Sequence, residues 1–305
     1  MKTLTLRSGF DPGSEVKTFP VFDIPGLLSP CFTGRDSFLG HLHENLKPGT
    51  HSTPFRRAAI YGLPGAGKTQ LALKYASRYR ENYSAVFFVS AASMPNFIQG
   101  YGRILSLLDI PEKSQSEWEI KAAAARAWFE NSRSNDGRGW LLIVDNISPD
   151  VVEKDNPADD KNATVTNLIS KYLPRAEVGP EGSILFTTRK PQAAAIVVGR
   201  DAKLCVHLPK MDENEAIDLL LRESGKDGDD QSANAIAREL GHLPLAISQA
   251  GTYIREMDVT FEQYLDDFRK TKGDVNLPIL LIVCMCNADF YFRRPSSGLQ
   301  KMILS

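Results

Sequence analysis

Cysteine is scarce in this chain of 305 residues: Cys31, Cys205, Cys284 and Cys286 are too few and too scattered for a disulfide framework. A reducing compartment fits that usage. Cys284-Met285-Cys286 lacks the two-residue spacer, the second pair and the neighbouring His of a zinc or redox site. Long apolar runs are missing as well. The longest, Ile279 to Cys286, falls far short of the ~20 residues that span a bilayer, so no membrane partner is expected. Met1 to Ser14 carries Lys2 and Arg7 with no apolar stretch behind them, which reads against a secretory leader and leaves a cytoplasmic protein as the expectation. Excess charge of either sign is absent too, with 36 Lys+Arg against 37 Asp+Glu. No basic patch interleaved with aromatics is present, so no direct contact with nucleic acid is expected.

What remains is an ordinary globular composition, 42% hydrophobic and 24% charged, long enough for one large domain or two modest ones. Residues 1–30 mix Gly, Pro, Ser and charge without period and read as an extended lead-in. Short, nearly continuous apolar runs then alternate with helical stretches: Ala58 to Tyr61, Ala85 to Val89, Leu141 to Val144, Ile184 to Phe186 and Leu204 to Leu208. Runs of that kind fit a parallel sheet covered on both faces, which predicts an α/β domain over residues 31–209 with five strands. Thr69 to Tyr79 and the alanine-rich Trp118 to Phe129 supply helices to cover the sheet.

Beyond Pro209 the strand signal stops. Asp212 to Glu223 with Asp212 as N-cap, Gln231 to Leu240, Leu245 to Met257 and Phe261 to Lys270 predict a small helical domain over residues 210–272. Asp150 to Asn162, rich in Asp, Asn, Lys and Pro, reads as a surface loop, and residues 273–305 have no assignable period.

The sharpest signal is Gly62-Leu-Pro-Gly65-Ala66-Gly67-Lys68-Thr69, the pattern G-x-x-x-x-G-K-[ST] set between a strand and a helix. Its glycines bring backbone N–H groups around phosphate oxygens, and the helix start adds a partial positive end. Lys68 adds a point charge, Thr69 places a hydroxyl for Mg²⁺, and Gln70 extends the binding segment. Leu141-Leu-Ile-Val-Asp145 supplies the carboxylate for the same metal, unless Asp145 is only an acidic cap to its strand. The residue after it is Asn146, an amide and a poor general base, so hydrolysis is expected to be slow or absent. Phe186-Thr187-Thr188-Arg189 ends a strand at the ligand edge of the sheet, with Arg189 either sensing the γ-phosphate or capping the strand. No Asn-Lys-x-Asp guanine motif follows, which favours ADP and ATP. The fold expected is therefore that of a P-loop NTPase, a three-layer αβα domain with a mainly parallel sheet and a small helical domain after it.

Over about residues 30 to 270 the chain resembles the NB-ARC family of STAND nucleotide switches, found in plant disease-resistance proteins, the apoptosome scaffold and many fungal NOD-like receptors. The resemblance rests on Phe32-Thr33-Gly34-Arg35-Asp36, the phosphate loop, Trp140 to Asn146, Gly182 to Arg189 and Gly241-His242-Leu243-Pro244-Leu245-Ala246. It implies that Arg35 lies against the nucleotide base, or else merely caps a helix, and that Pro244 packs on adenine in the ADP form. It further implies signalling by self-association or by pairing with longer relatives. Neither the family's winged-helix module with its Met-His-Asp motif nor its repeats are visible, which leaves a truncated scaffold or decoy as the alternative. An AAA-like turnover ATPase is a more distant one. His41, His43 and His207 read as packing or surface residues.

Overall fold

The computed structural model describes residues 21–48, 55–114, 117–132, 138–147, 171–174, 182–199, 201–227 and 230–274. The expected loop from Asp150 to Asn162, Cys284 and Cys286 lie outside the described residues.

Six parallel strands form one sheet: β1 (Val21–Asp23), β2 (Phe55–Tyr61), β3 (Ala85–Ser90), β4 (Trp140–Ile147), β5 (Gly182–Thr188) and β6 (Cys205–His207), ordered β1-β3-β4-β5-β2-β6. The five expected strands are all present. The sixth, β1, corrects the five-stranded expectation: it pairs in register with β3, Val21 opposite Ala85 and Asp23 opposite Phe87, and so draws part of the lead-in into the sheet edge. A strand of three residues set between Pro20 and Pro25 is too short a run to stand out from a loop.

The continuous apolar runs divide by parity between two cores. Phe87, Val89, Leu142, Val144, Ile184 and Phe186 face helices α3 (Met94–Leu107), α4 (Trp118–Asn131) and α5 (Pro191–Val197). Val86, Leu141, Ile143, Leu185 and Ile60 face α1 (Asp36–Leu46) and α2 (Lys68–Arg78). Both sheet faces are thus buried, as period-2 geometry requires when neither parity is polar. Each fully buried Leu of α1 and α2 contributes roughly 1.5–3 kcal/mol, more than a helix cap supplies, so packing decides how these helices dock.

The helical domain comprises α6 (Glu213–Ser224), α7 (Asp230–Glu239), α8 (Pro244–Met257) and α9 (Phe261–Asp274), around a core that includes Leu220, Ile236, Ile247 and Ile254. Asp212 is the N-cap of α6, and with Glu215 it forms a reciprocal capping box. Pro244 occupies the first turn of α8, where its missing N–H costs no helical bond. No helix among the described residues is long and apolar enough to cross a membrane.

Candidate functional site

The phosphate loop joins β2 to α2 at the carboxyl edge of the sheet. Gly65 and Gly67 take φ of 77° and 90°, left-handed values that glycine adopts without the strain of a Cβ. Gly67 is the N-cap of α2 without a side-chain cap, and the first turn holds no acid, so the helix's unpaired N–H groups and positive end stay available to an anion. Ala66 is buried beneath the loop and its N–H donates to the Leu63 carbonyl at 3.2 Å. Lys68 Nζ donates to the carbonyls of Gly62 at 3.0 Å and Leu63 at 2.8 Å. Burial, and then the charge of Arg189, push the Lys68 ammonium below its ordinary pKa, while Asp145 opposes the shift. These groups fit a polyphosphate.

Asp145 stands where the β4–β5 ladder breaks. Pairing is regular from Trp140 opposite Gly182 to Val144 opposite Phe186, then resumes at Ile147 opposite Thr188. Two residues of β4, Asp145 and Asn146, therefore face Thr187 alone, which is a bulge, and Asn146 adopts φ of 61°. The buried Thr187 hydroxyl restores what the ladder loses: it accepts from Asn146 N–H at 2.8 Å and donates to Asp145 Oδ1 at 2.6 Å. Thr69 Oγ1 donates to the same Oδ1 at 2.8 Å. A hydroxyl and a carboxylate so close together are hard oxygen donors suited to Mg²⁺, which takes one or two protein oxygens and fills its shell with water and phosphate. Among the described residues no group of three or more His, Cys, Asp or Glu could hold a metal, so the ion here would lean on nucleotide oxygens. Arg189 is exposed beside this cluster.

The helical domain closes onto the loop. Leu245 N–H donates to the Gly65 carbonyl at 3.1 Å, and a Cβ on Gly65 would lie 3.2 Å from both Leu243 and Leu245. Pro244, between those leucines, is thereby brought to the phosphate loop. A strap running from Leu27 to Arg35 joins the two domains. Gln70 clasps its backbone, accepting from Ser29 N–H at 2.8 Å and donating to the Leu27 carbonyl at 2.7 Å. Phe32 packs into the core beneath α1 and α2. Odd-numbered residues meet the helical domain: Ser29 Oγ donates to Glu223, Cys31 packs on its core, Thr33 Oγ1 donates to Asp218, and Arg35 pairs with Glu215.

Arg35 is 6% exposed, and its guanidinium also donates to the Pro209 carbonyl at 3.0 Å, on the connection between sheet and helical domain. Burial lowers its pKa, with Glu215 and Asp212 opposing, and a guanidinium stays charged there.

The structure thus gathers Gly62, Gly65, Ala66, Gly67, Lys68, Thr69, Asp145, Arg189 and Pro244 at one sheet edge. Gln70 and Arg35 stand beside them with their side chains engaged by protein partners. Sequence reasoning missed Glu215, Asp218, Glu223 and Ser248. The alternation along residues 27–35, with serine, cysteine, threonine and arginine on one parity, is the signal that could have found the strap. His43 stacks on Tyr79 with ring centroids 3.8 Å apart, and His207 lies beside Tyr61 at 5.1 Å.

No family model matches the chain. It is 31% identical over 253 residues to a nucleotide-binding leucine-rich repeat (NLR)-like protein of Hyaloscypha variabilis, an alignment covering 82% of this chain and 25% of that one. The chain spans about a quarter of the length of the curated relative it matches. Among solved structures, it is similar to Cdc6p from Pyrobaculum aerophilum, with a TM-score of 0.53 and 15% identity over 77% of this chain and 65% of that chain. The Aeropyrum pernix ORC2 protein matches with a TM-score of 0.53 and 13% identity over 92% and 86%. A Walker-type ATPase of Pyrococcus abyssi gives 0.53 and 11% over 79% and 73%. At such identities these likenesses establish the fold, that of a P-loop NTPase with a helical region.

Proposed function

We propose that this chain is the nucleotide-binding switch of an NLR-type protein, an NB-ARC module that holds ADP or ATP with Mg²⁺ between the phosphate loop and the helical domain. The observation that carries the reading is the Leu245 N–H to Gly65 carbonyl bond, because it lets an event at the phosphates bear directly on domain position. Lys68 and the start of α2 bind the phosphates, Thr69 and Asp145 hold the metal, and Arg189 meets a γ-phosphate. Magnesium, when bound, neutralises charge on the terminal phosphates. Pro244 and the strap bound the base side.

A nucleotide shifts such an equilibrium only through its different affinities for the closed and open forms. Turnover is slow in this reading because the residue after Asp145 is Asn146, whose amide is a poor general base. Opening of the helical domain exposes surface for self-association or for pairing with longer relatives.

The test is to denature the purified protein and identify the nucleotide released, with Lys68→Ala beside it. Stoichiometric ADP from the wild type and none from the variant is expected. An empty, folded wild type that also fails to take up ADP or ATP overturns the reading and leaves a scaffold. Equal ADP and ATP affinities with identical sizing profiles would reject the switch while keeping the binding.

A further inference from the structure

Glu223 is a buried carboxylate with no part in phosphate or metal binding. It sits near the end of α6, 8% exposed, and among the described residues no cation lies within ion-pair distance of its carboxylate. Its Oε1 accepts two neutral hydroxyls: Ser248 at 2.9 Å, from α8 of the same domain, and Ser29 at 3.4 Å, from the strap. The backbone around it is fixed within the helical domain. Arg255 donates to the Glu223 carbonyl at 2.6 Å, and Gly251 packs against its Cβ. Ser29 belongs to the other side, because Gln70 of α2 holds its N–H and the neighbouring Leu27 carbonyl. The Ser29–Glu223 contact therefore crosses the junction, and the Ser248–Glu223 contact does not.

This difference gives the carboxylate a direction of action. In the closed form it has lost water and received only uncharged donors, the Ser248 and Ser29 hydroxyls and the Cys31 thiol, poor compensation for a buried charge. When the domains part, Glu223 keeps Ser248 and exchanges Ser29 for water, which solvates a carboxylate far better. We propose that Glu223 is a spring against closure, a positioning residue that holds the two domains short of a locked state so that the site can open and release what it binds. The strap contacts at Thr33 and Arg35 favour closure, and Glu223 opposes them. The inference rests on the closed arrangement and not on which nucleotide is bound.

Glutamine in this place keeps an acceptor for both serines and removes the charge, so Glu223→Gln should tighten closure, whereas Ser29→Ala takes away a hydroxyl donor that crosses the junction and should loosen it. Amide exchange at Leu245, whose N–H bonds Gly65 across the junction, reads closure directly in protein washed free of nucleotide. Glu223→Gln is expected to slow that exchange by at least about fivefold and Ser29→Ala to speed it. A residue that merely fills space would give faster exchange in both variants. With labelled ADP bound, release should slow by a similar factor in Glu223→Gln while the association rate stays as in the wild type. Unchanged or faster Leu245 exchange in Glu223→Gln overturns the proposal, whether or not the wild type binds nucleotide. A wild type that binds none, with the exchange pattern as expected, would overturn the nucleotide reading and leave the spring.

Discussion

The two ends of the candidate site are built in opposite ways. At the phosphate end most parts lie next to one another in the chain, from Gly62 to Thr69, and two long-range hydroxyl bonds, from Thr69 and Thr187 to Asp145, complete the candidate metal site. At the junction end every contact joins distant residues: Ser29 to Glu223, 194 positions away, Thr33 to Asp218, 185 away, and Arg35 Nη2 to Pro209, 174 away. A local cradle is set by backbone conformation and forms whenever its strand and helix form. The junction exists only while two domains face each other, so it is the end that can change. In the proposed switch, binding strength belongs to the first region and its consequence to the second.

Separating the two ends by mutation tests that division. Arg35→Ala should cost about 2–3 kcal/mol of stability, since it leaves the Pro209 carbonyl and part of the Glu215 carboxylate without their buried partner. Thermal melting and Leu245 amide exchange should both show it, with the rate of Mg-nucleotide capture little changed. A lost capture rate would mean that the ends are one unit. Gly65→Ala should act on both ends together. Its positive φ costs an L residue roughly 1–2 kcal/mol, and the new Cβ presses on Leu243 and Leu245, so nucleotide affinity and Leu245 protection should fall in parallel. Loss of affinity alone would show that the helical domain accommodates the methyl.

The smallest effect is expected from Thr33→Val, about 0.5–1.5 kcal/mol, through loss of the hydroxyl bond to Asp218. Cys31 reports it. Burial and then the nearby Glu223 charge raise the Cys31 thiol above its ordinary pKa, so little thiolate is present at neutral pH and alkylation is slow. A looser strap lets that pKa fall back and speeds alkylation of the Cys31 peptide, followed by mass spectrometry. An unchanged rate would mean that Arg35 and Ser29 hold the strap without Thr33.

The same division explains what could be read from the sequence. The sheet was legible because its apolar runs are continuous, and the phosphate loop because its chemistry needs neighbouring residues. α3 was not, since Pro95, Gly100 and Gly102 look like breakers. Pro95 in fact occupies the first turn, and Gly100 lies against Val89, where a Cβ would come within 2.8 Å. The capping role of Asp212 was legible from its place before an apolar-periodic helix. That Glu215, its capping partner, also receives Arg35 was not, because no local pattern records which strap will arrive 180 residues away.

The short edge strand also has a mechanical meaning. Residues 1–20 reach the strap through β1, whose backbone is laddered to β3 in parallel. A pull on the chain ahead of Val21 therefore loads those hydrogen bonds in shear, side by side, before any tension passes to Gln70, Ser29 or Glu223. β1 acts as a strain relief: tugging upstream reaches the domain junction only once the edge of the sheet has given way.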